Sequence, residues 1–123
     1  MFEGGSQVKR TVVNTPLGMF ARTTNSTHGY THVVVVKYGQ RLSNIRAELR
    51  ATVRQLMQQD GCTPPPKRAE PEYVAVSWCR SLDLAMLARK SLQANKDYSD
   101  VRIFTIPGGK EVIATPEGHL HSA

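Results

Sequence analysis

A chain of 123 residues with 40% apolar and 21% charged content is long enough for one ordinary core and too apolar for wholesale disorder. It holds no apolar run near the roughly 18 residues that span a bilayer, and it opens without the cationic and apolar regions of a signal peptide. The expected location is therefore cytoplasmic, with no membrane partner. The net charge of +6 is unevenly placed: residues 4–59 carry eight cations against Glu48 alone, whereas 60–123 carry eight charges of each sign. A one-sign segment attracts polyanions or acidic proteins and says little about fold.

Residues 1–7 are small and polar and are expected to form a loose segment. Residues 7–13 and 19–22 read as short strands joined by a turn at Pro16 and Gly18. Residues 30–38 (YTHVVVVKY) are β-branched and aromatic, the clearest strand signal in the chain. Four consecutive valines imply burial on both faces and hence a central strand. Ser43 stands where it would cap a helix over 44–59. Ile45, Leu49, Val53, Leu56 and Met57 recur at helical spacing and make its expected buried stripe. Asp60 and Gly61 end that helix. Residues 61–72, with Pro64, Pro65, Pro66 and Pro71, read as a semi-rigid exposed loop. Residues 73–79 (YVAVSWC) predict a second central strand. Ser81 caps a helix over 82–95 with Asp83 in its first turn, and Leu84, Leu87, Ala88, Ser91 and Leu92 form its expected stripe. Residues 101–106 and 111–115 pair across the turn residues Pro107, Gly108 and Gly109. The end of the chain reads as a tail.

The order β-β-β-α-β-α-β-β predicts an α+β two-layer sandwich. One mixed sheet of roughly four to six strands would carry both helices on one face, because strand–helix–strand crossovers are right-handed. A single domain would occupy 8–116, between the loose 1–7 segment and a flexible 117–123 tail. An open edge, such as that of the 101–115 hairpin, makes a homodimer possible.

The strongest candidate for chemistry is an arginine row. Arg46, Arg50 and Arg54 fall at i, i+4 and i+8, on one side of the helix and beside its apolar stripe. Glu48 has no arginine at partner spacing, so nothing within the helix neutralises the row. The bland reading is a solvated face, weighed evenly with a binding surface. With Arg41, Lys37 and Arg22 the row is a candidate site for nucleic acid or an acidic host protein, since guanidinium forks match phosphate and carboxylate. No helix-turn-helix, zinc-finger or aromatic RNA-binding pattern accompanies it, so phosphate contact rather than base reading is expected.

Other chemistry is sparse. Cys62 and Cys79 are expected to be free thiols, and Cys79 has no sequence-linked histidine or acid to activate it. His28, His32, His119 and His121 include a strand-spaced pair but no carboxylate or cysteine cluster, so no metal is expected. Paired carboxylates, Gly-rich phosphate loops, HExxH and GxSxG are absent from the sequence. The expectation is a protein that is not an enzyme and needs no cofactor.

The segments YTHVVVV (30–36) and SWCRSLDLA (77–85) resemble small α+β proteins of uncharacterised role carried by phages and plasmids. The likeness spans roughly half the chain, is structural, and brings no functional residue with it. It implies a mobile-element setting, in which small domains bind nucleic acid or block a host protein such as a defence complex. Two expectations follow. The first is a basic protein binding nucleic acid through the arginine-lined helix; the alternative is a protein–protein interaction module, for example an inhibitor of anti-CRISPR type.

Overall fold

Successive residues of a strand point to opposite faces of its sheet, so four valines in a row need an apolar cover on both sides. The structure, a computed structural model, describes residues 8–25, 29–67 and 69–113, with the backbone of Ala114 and of Leu120–Ser122. The expected loose segment 1–7 lies outside the described residues, as do His28 and His119. Strand β3 (His32–Tyr38) has neighbours on both edges, and Val33, Val34, Val35 and Val36 are fully buried.

The other elements are β1 (Lys9–Thr15), β2 (Gly18–Thr24), α1 (Gln40–Gln59), β4 (Val74–Cys79), α2 (Leu82–Gln93), β5 (Tyr98–Thr105), β6 (Glu111–Ala114) and β7 (Leu120–Ser122). The fold is α+β in the expected order, with β7 added at the end. Two sheets replace the expected single one. A five-stranded sheet runs β4-β3-β5-β6-β7, and β1 pairs with β2 in a sheet of its own. Every pairing is antiparallel, so the large sheet is not mixed. Strands β4 and β5 run in the same direction but flank β3, and α2 crosses over between them; β4, expected to be a second central strand, is an edge strand paired only with β3. Residues 120–122, expected in the tail, supply β7 and pair with β6.

The layering also differs from the expected two. On one face, Val33, Val35, Tyr73 and Phe104 are covered by Val13 and Phe20 of the N-terminal hairpin, which stacks on the sheet instead of extending it. On the other, Val34, Val36, Val101 and Ile103 pack under Ala85 of α2, with Leu82, Met86, Ala88 and Leu92 partly buried around it. The buried side of α2 is therefore rotated from the expected stripe. Ala85 faces the sheet because a small side chain lets the helix approach closely, and Leu84 and Leu87 are left exposed.

Local chemistry explains the helix ends. Ser81 caps α2 as expected, its hydroxyl accepting the Leu84 N–H at 3.2 Å. Helix α1 starts at Gln40, earlier than expected. Gly39 is its N-cap, and Ser43 lies inside the first turn, donating its N–H to the Gly39 carbonyl. Its C-terminus is as expected. Gly61 takes φ +79°, and the Gly61 and Cys62 N–H groups return to the carbonyls of Gln58 and Met57, the paired bonds of a Schellman motif.

One glycine fixes the hairpin on the sheet. Gly109 has φ +69°, and a Cβ there would lie 1.8 Å from the carbonyl oxygen of Asn14 in β1. Gly61 has a similar φ but open space around it, which separates backbone strain from collision. Gly61→Ala should cost about 1–2 kcal/mol. Gly109→Ala should cost about 3 kcal/mol or more, because it must also push the hairpin off the sheet. Urea denaturation of both variants checks this; equal losses would mean that the hairpin does not depend on that approach.

Candidate functional site

Antiparallel neighbours can be joined by a two-residue turn. Between β3 and β4 the chain instead makes a long excursion through α1 and the Pro-rich residues 62–72, here called the strap. Excursions that a sheet does not require are where binding residues concentrate. With both sheet faces already covered, α1 has no face to cover. It buries none of its residues. Ile45, Leu49, Val53 and Leu56 are 45, 62, 47 and 53% exposed. Four of the five residues expected to face the core are thus largely in water, and Met57 is half-buried in the groove against the strap.

The arginines lie beside the stripe, turned toward the strap and the body of the protein. Arg46 stacks over the Tyr38 ring at 4.7 Å from its centroid, and Tyr38 in turn stacks on Tyr98. Glu70 of the strap pairs with two members of the row: its carboxylate is hydrogen-bonded to Arg50 and lies 3.6 Å from Arg46 Nη2. Arg54 donates to the carbonyl oxygen of Pro65 at 2.5 Å. Arg41, one turn earlier, donates to Asp97 at 2.8 Å. The row that nothing within the helix neutralises is thus partly neutralised from the other half of the chain.

Of the six candidate residues, the structure brings three together. Lys37, Arg46 and Arg50 line a pocket of about 280 Å³ with Ser43, Tyr38 and Glu70. Arg54 stands further along α1, beside a larger groove of about 910 Å³ between helix and strap, walled by Leu49, Val53, Met57 and Pro65. Arg41 is held at the start of the helix. Arg22 is elsewhere, stacked over Tyr30, which precedes the opposite end of β3 from Lys37, roughly 20 Å away along the strand. Sequence reasoning missed Glu70, Asp97 and Pro65. The only signal for Glu70 was a pair of acids, Glu70 and Glu72, in a Pro-rich loop, and loop geometry is not coded by helical spacing.

Arg46 is unusual within this pocket. Its distance to Glu70 is too long for a hydrogen bond, and its buried Nε has no partner among the described residues. The guanidinium is positioned by the Tyr38 ring, a cation–π contact, with hydrogen-bonding capacity unused.

Among the described residues the other titratable groups do not assemble into a reactive site. Cys62 is exposed and Cys79 buried, both free. His32 is bonded to the Thr31 hydroxyl at 2.7 Å, and burial lowers its pKa. Among the described residues no cluster of ligands could hold a metal, and no helix is long and apolar enough to cross a membrane. Tyr73, Asp100 and Arg102 form a bonded network: Asp100 accepts from the Tyr73 hydroxyl at 2.5 Å and from Arg102 Nε at 2.8 Å. Partial burial would raise the pKa of Asp100, but the bonds from Tyr73 and Arg102 outweigh it and hold the carboxyl below its ordinary value. The bond to Asp100, with burial, raises that of Tyr73. This network ties β5 to the residue entering β4 and is structural.

The chain finds no match among protein-family models, curated proteins or solved structures.

The network sets a pH dependence. A depressed carboxyl pKa stabilises the fold fully above its unfolded value, about 4, and that contribution disappears as pH falls toward the folded value. A raised tyrosine pKa acts oppositely, losing its contribution as pH climbs past about 10. Thermal melts from pH 7 to pH 2 should show a steeper acid loss in the wild type than in Asp100→Asn. Parallel curves would refute the network's role.

Proposed function

We propose that this protein is a non-catalytic protein-binding module, and that α1 is the element it presents. The observation that carries this reading is the outward leucine stripe of α1, with guanidinium groups along one margin. The partner is a protein groove with an apolar floor and carboxylates on the rim facing Arg46 and Arg50.

Magnitudes favour a groove over simple helix-to-helix pairing. Each stripe residue keeps about half its surface in water, and burying the remainder is worth about 1 kcal/mol apiece. Association costs on the order of 4–15 kcal/mol in lost freedom. Four such residues do not cover that alone. Two helices laid side by side also bury less than the roughly 800 Å² per partner of a stable interface. A groove that wraps the helix supplies the missing area, and opposite charge on its rim supplies orientation.

Nucleic-acid binding by the same helix is the competing reading. It uses the arginines but gives the stripe nothing to do. The partner class can be probed with two defined ligands. One is a designed two-helix peptide whose helices form a leucine-floored groove rimmed by glutamates; the other is a 20-base-pair DNA duplex. The peptide should bind, and Leu49→Ser should weaken it at least about tenfold while changing stability by less than about 0.5 kcal/mol, as at other exposed sites. The opposite pattern would replace this reading with the nucleic-acid one. In that case the duplex binds, Leu49→Ser is silent, and replacing Arg46, Arg50 and Arg54 by alanine flattens the salt slope by roughly two to three.

A further inference from the structure

Glu70 sits where a partner's carboxylate would sit. Its side chain reaches the Arg46–Arg50 pair from the strap, and the pocket there is walled by Lys37, Ser43 and Tyr38 as well. Three cations meet Glu70 and its neighbour Glu72 in this pocket, so positive charge remains in excess. Arg46 is oriented by Tyr38, yet makes no hydrogen bond among the described residues and keeps a buried Nε donor unused. With Glu70 3.6 Å from Arg46 Nη2 and the Arg46 side chain close to half exposed, a planar carboxylate seated nearer can bond the guanidinium edge that Glu70 does not.

The strap that carries Glu70 is weakly held. Among the described residues its polar contacts to α1 are the Glu70 pairs, the Arg54 bond to Pro65 and, where it leaves the helix, the Cys62 N–H bond to the Met57 carbonyl. Glu70, Arg46 and Arg50 side chains are each close to half exposed, and exposed ion pairs contribute at most about 1 kcal/mol each. Such a contact can be exchanged.

We infer that the Lys37–Arg46–Arg50 pocket is the anchor for an aspartate or glutamate side chain of the protein partner, and that Glu70 is a tethered competitor for it. The strap then acts as a built-in brake: the partner's carboxylate displaces Glu70 and takes its place on the two guanidiniums. This rests on the reading of α1 as a protein-docking helix.

The probes are the glutamate-rimmed two-helix peptide and a twin in which every glutamate is glutamine. Each is titrated against wild type, Glu70→Gln and the double variant Glu70→Gln/Arg46→Ala. Removing the competing charge should tighten the glutamate peptide about tenfold, leave the glutamine twin unchanged, and have no such effect once Arg46 is also gone. Trypsin cleavage after Lys67 should be faster in Glu70→Gln than in wild type, with an unchanged melting temperature showing the fold intact. Equal affinity of wild type and Glu70→Gln for the glutamate peptide overturns the competitor role and leaves the docking helix standing. Equal tightening of both peptides overturns it too, since that would mean only that the strap had loosened. Failure of every protein to bind either peptide overturns the docking helix and the anchor together.

Discussion

The whole arrangement depends on β3 being covered twice. Val33 and Val35 need one apolar layer and Val34 and Val36 another, and each buried valine is worth about 1.5–3 kcal/mol against exposure. In a fold whose net stability is only about 5–15 kcal/mol, neither cover is optional. The N-terminal hairpin provides one through Val13 and Phe20, held close by the Gly109–Asn14 approach. Helix α2 provides the other through Ala85. A sheet has two faces, and with both taken the remaining helix is left without a place in the core.

That is why α1 stands apart and why its arginines turn inward. A helix of 20 residues with no buried face is marginal in water, since most helical stability in proteins comes from packing. Here it is steadied by polar contacts along one side: Asp97 on Arg41, Tyr38 under Arg46, Glu70 on Arg50 and Pro65 on Arg54. The Schellman end at Gly61 closes it and turns the chain back. The strap suits this task. Prolines fix φ and lack an N–H, so the segment loses little entropy on ordering and offers carbonyl oxygens, as Pro65 does to Arg54. Holding the helix by its guanidiniums leaves Ile45, Leu49, Val53 and Leu56 about half in water.

Signals that are local in sequence were legible. The valine run placed β3 at the centre, Ser81 capped α2, Gly61 ended α1, and the 107–110 turn joined β5 to β6. Each depends on a residue and its immediate neighbours. The orientation of α1 was not legible, because periodicity shows that a helix has an apolar side without showing what that side meets. The missing information was long-range: the hairpin, read as an extension of the sheet, takes the face that would otherwise need a helix. The same limit misplaced the stripe of α2, where hydrophobicity favoured Leu84 and Leu87 over the small Ala85 that permits close approach. Among the arginines the row itself was visible from spacing, but its partners Glu70 and Asp97 lie 20 and 56 residues from the arginines they hold, beyond any helical pairing rule.

Charge segregated along a chain is not segregated in space. The basic half of the sequence folds so that two acids of the neutral half, Glu70 and Asp97, lie among its guanidiniums. This weakens α1 as a landing strip for a polyanion, whose affinity grows with the number of phosphates neutralised. It suits a protein partner better, for a reason of desolvation. Bringing a bare guanidinium into an interface removes it from water at a cost of several kcal/mol, recovered only with good pairing. Arg50 is already paired, and Arg46 already lies against an aromatic ring. In the docking proposed for α1, an incoming carboxylate exchanges with Glu70, so the number of ion pairs is conserved and much of the guanidinium's desolvation has occurred on folding. The exchange is then close to balanced electrostatically, and the leucine stripe decides whether docking proceeds.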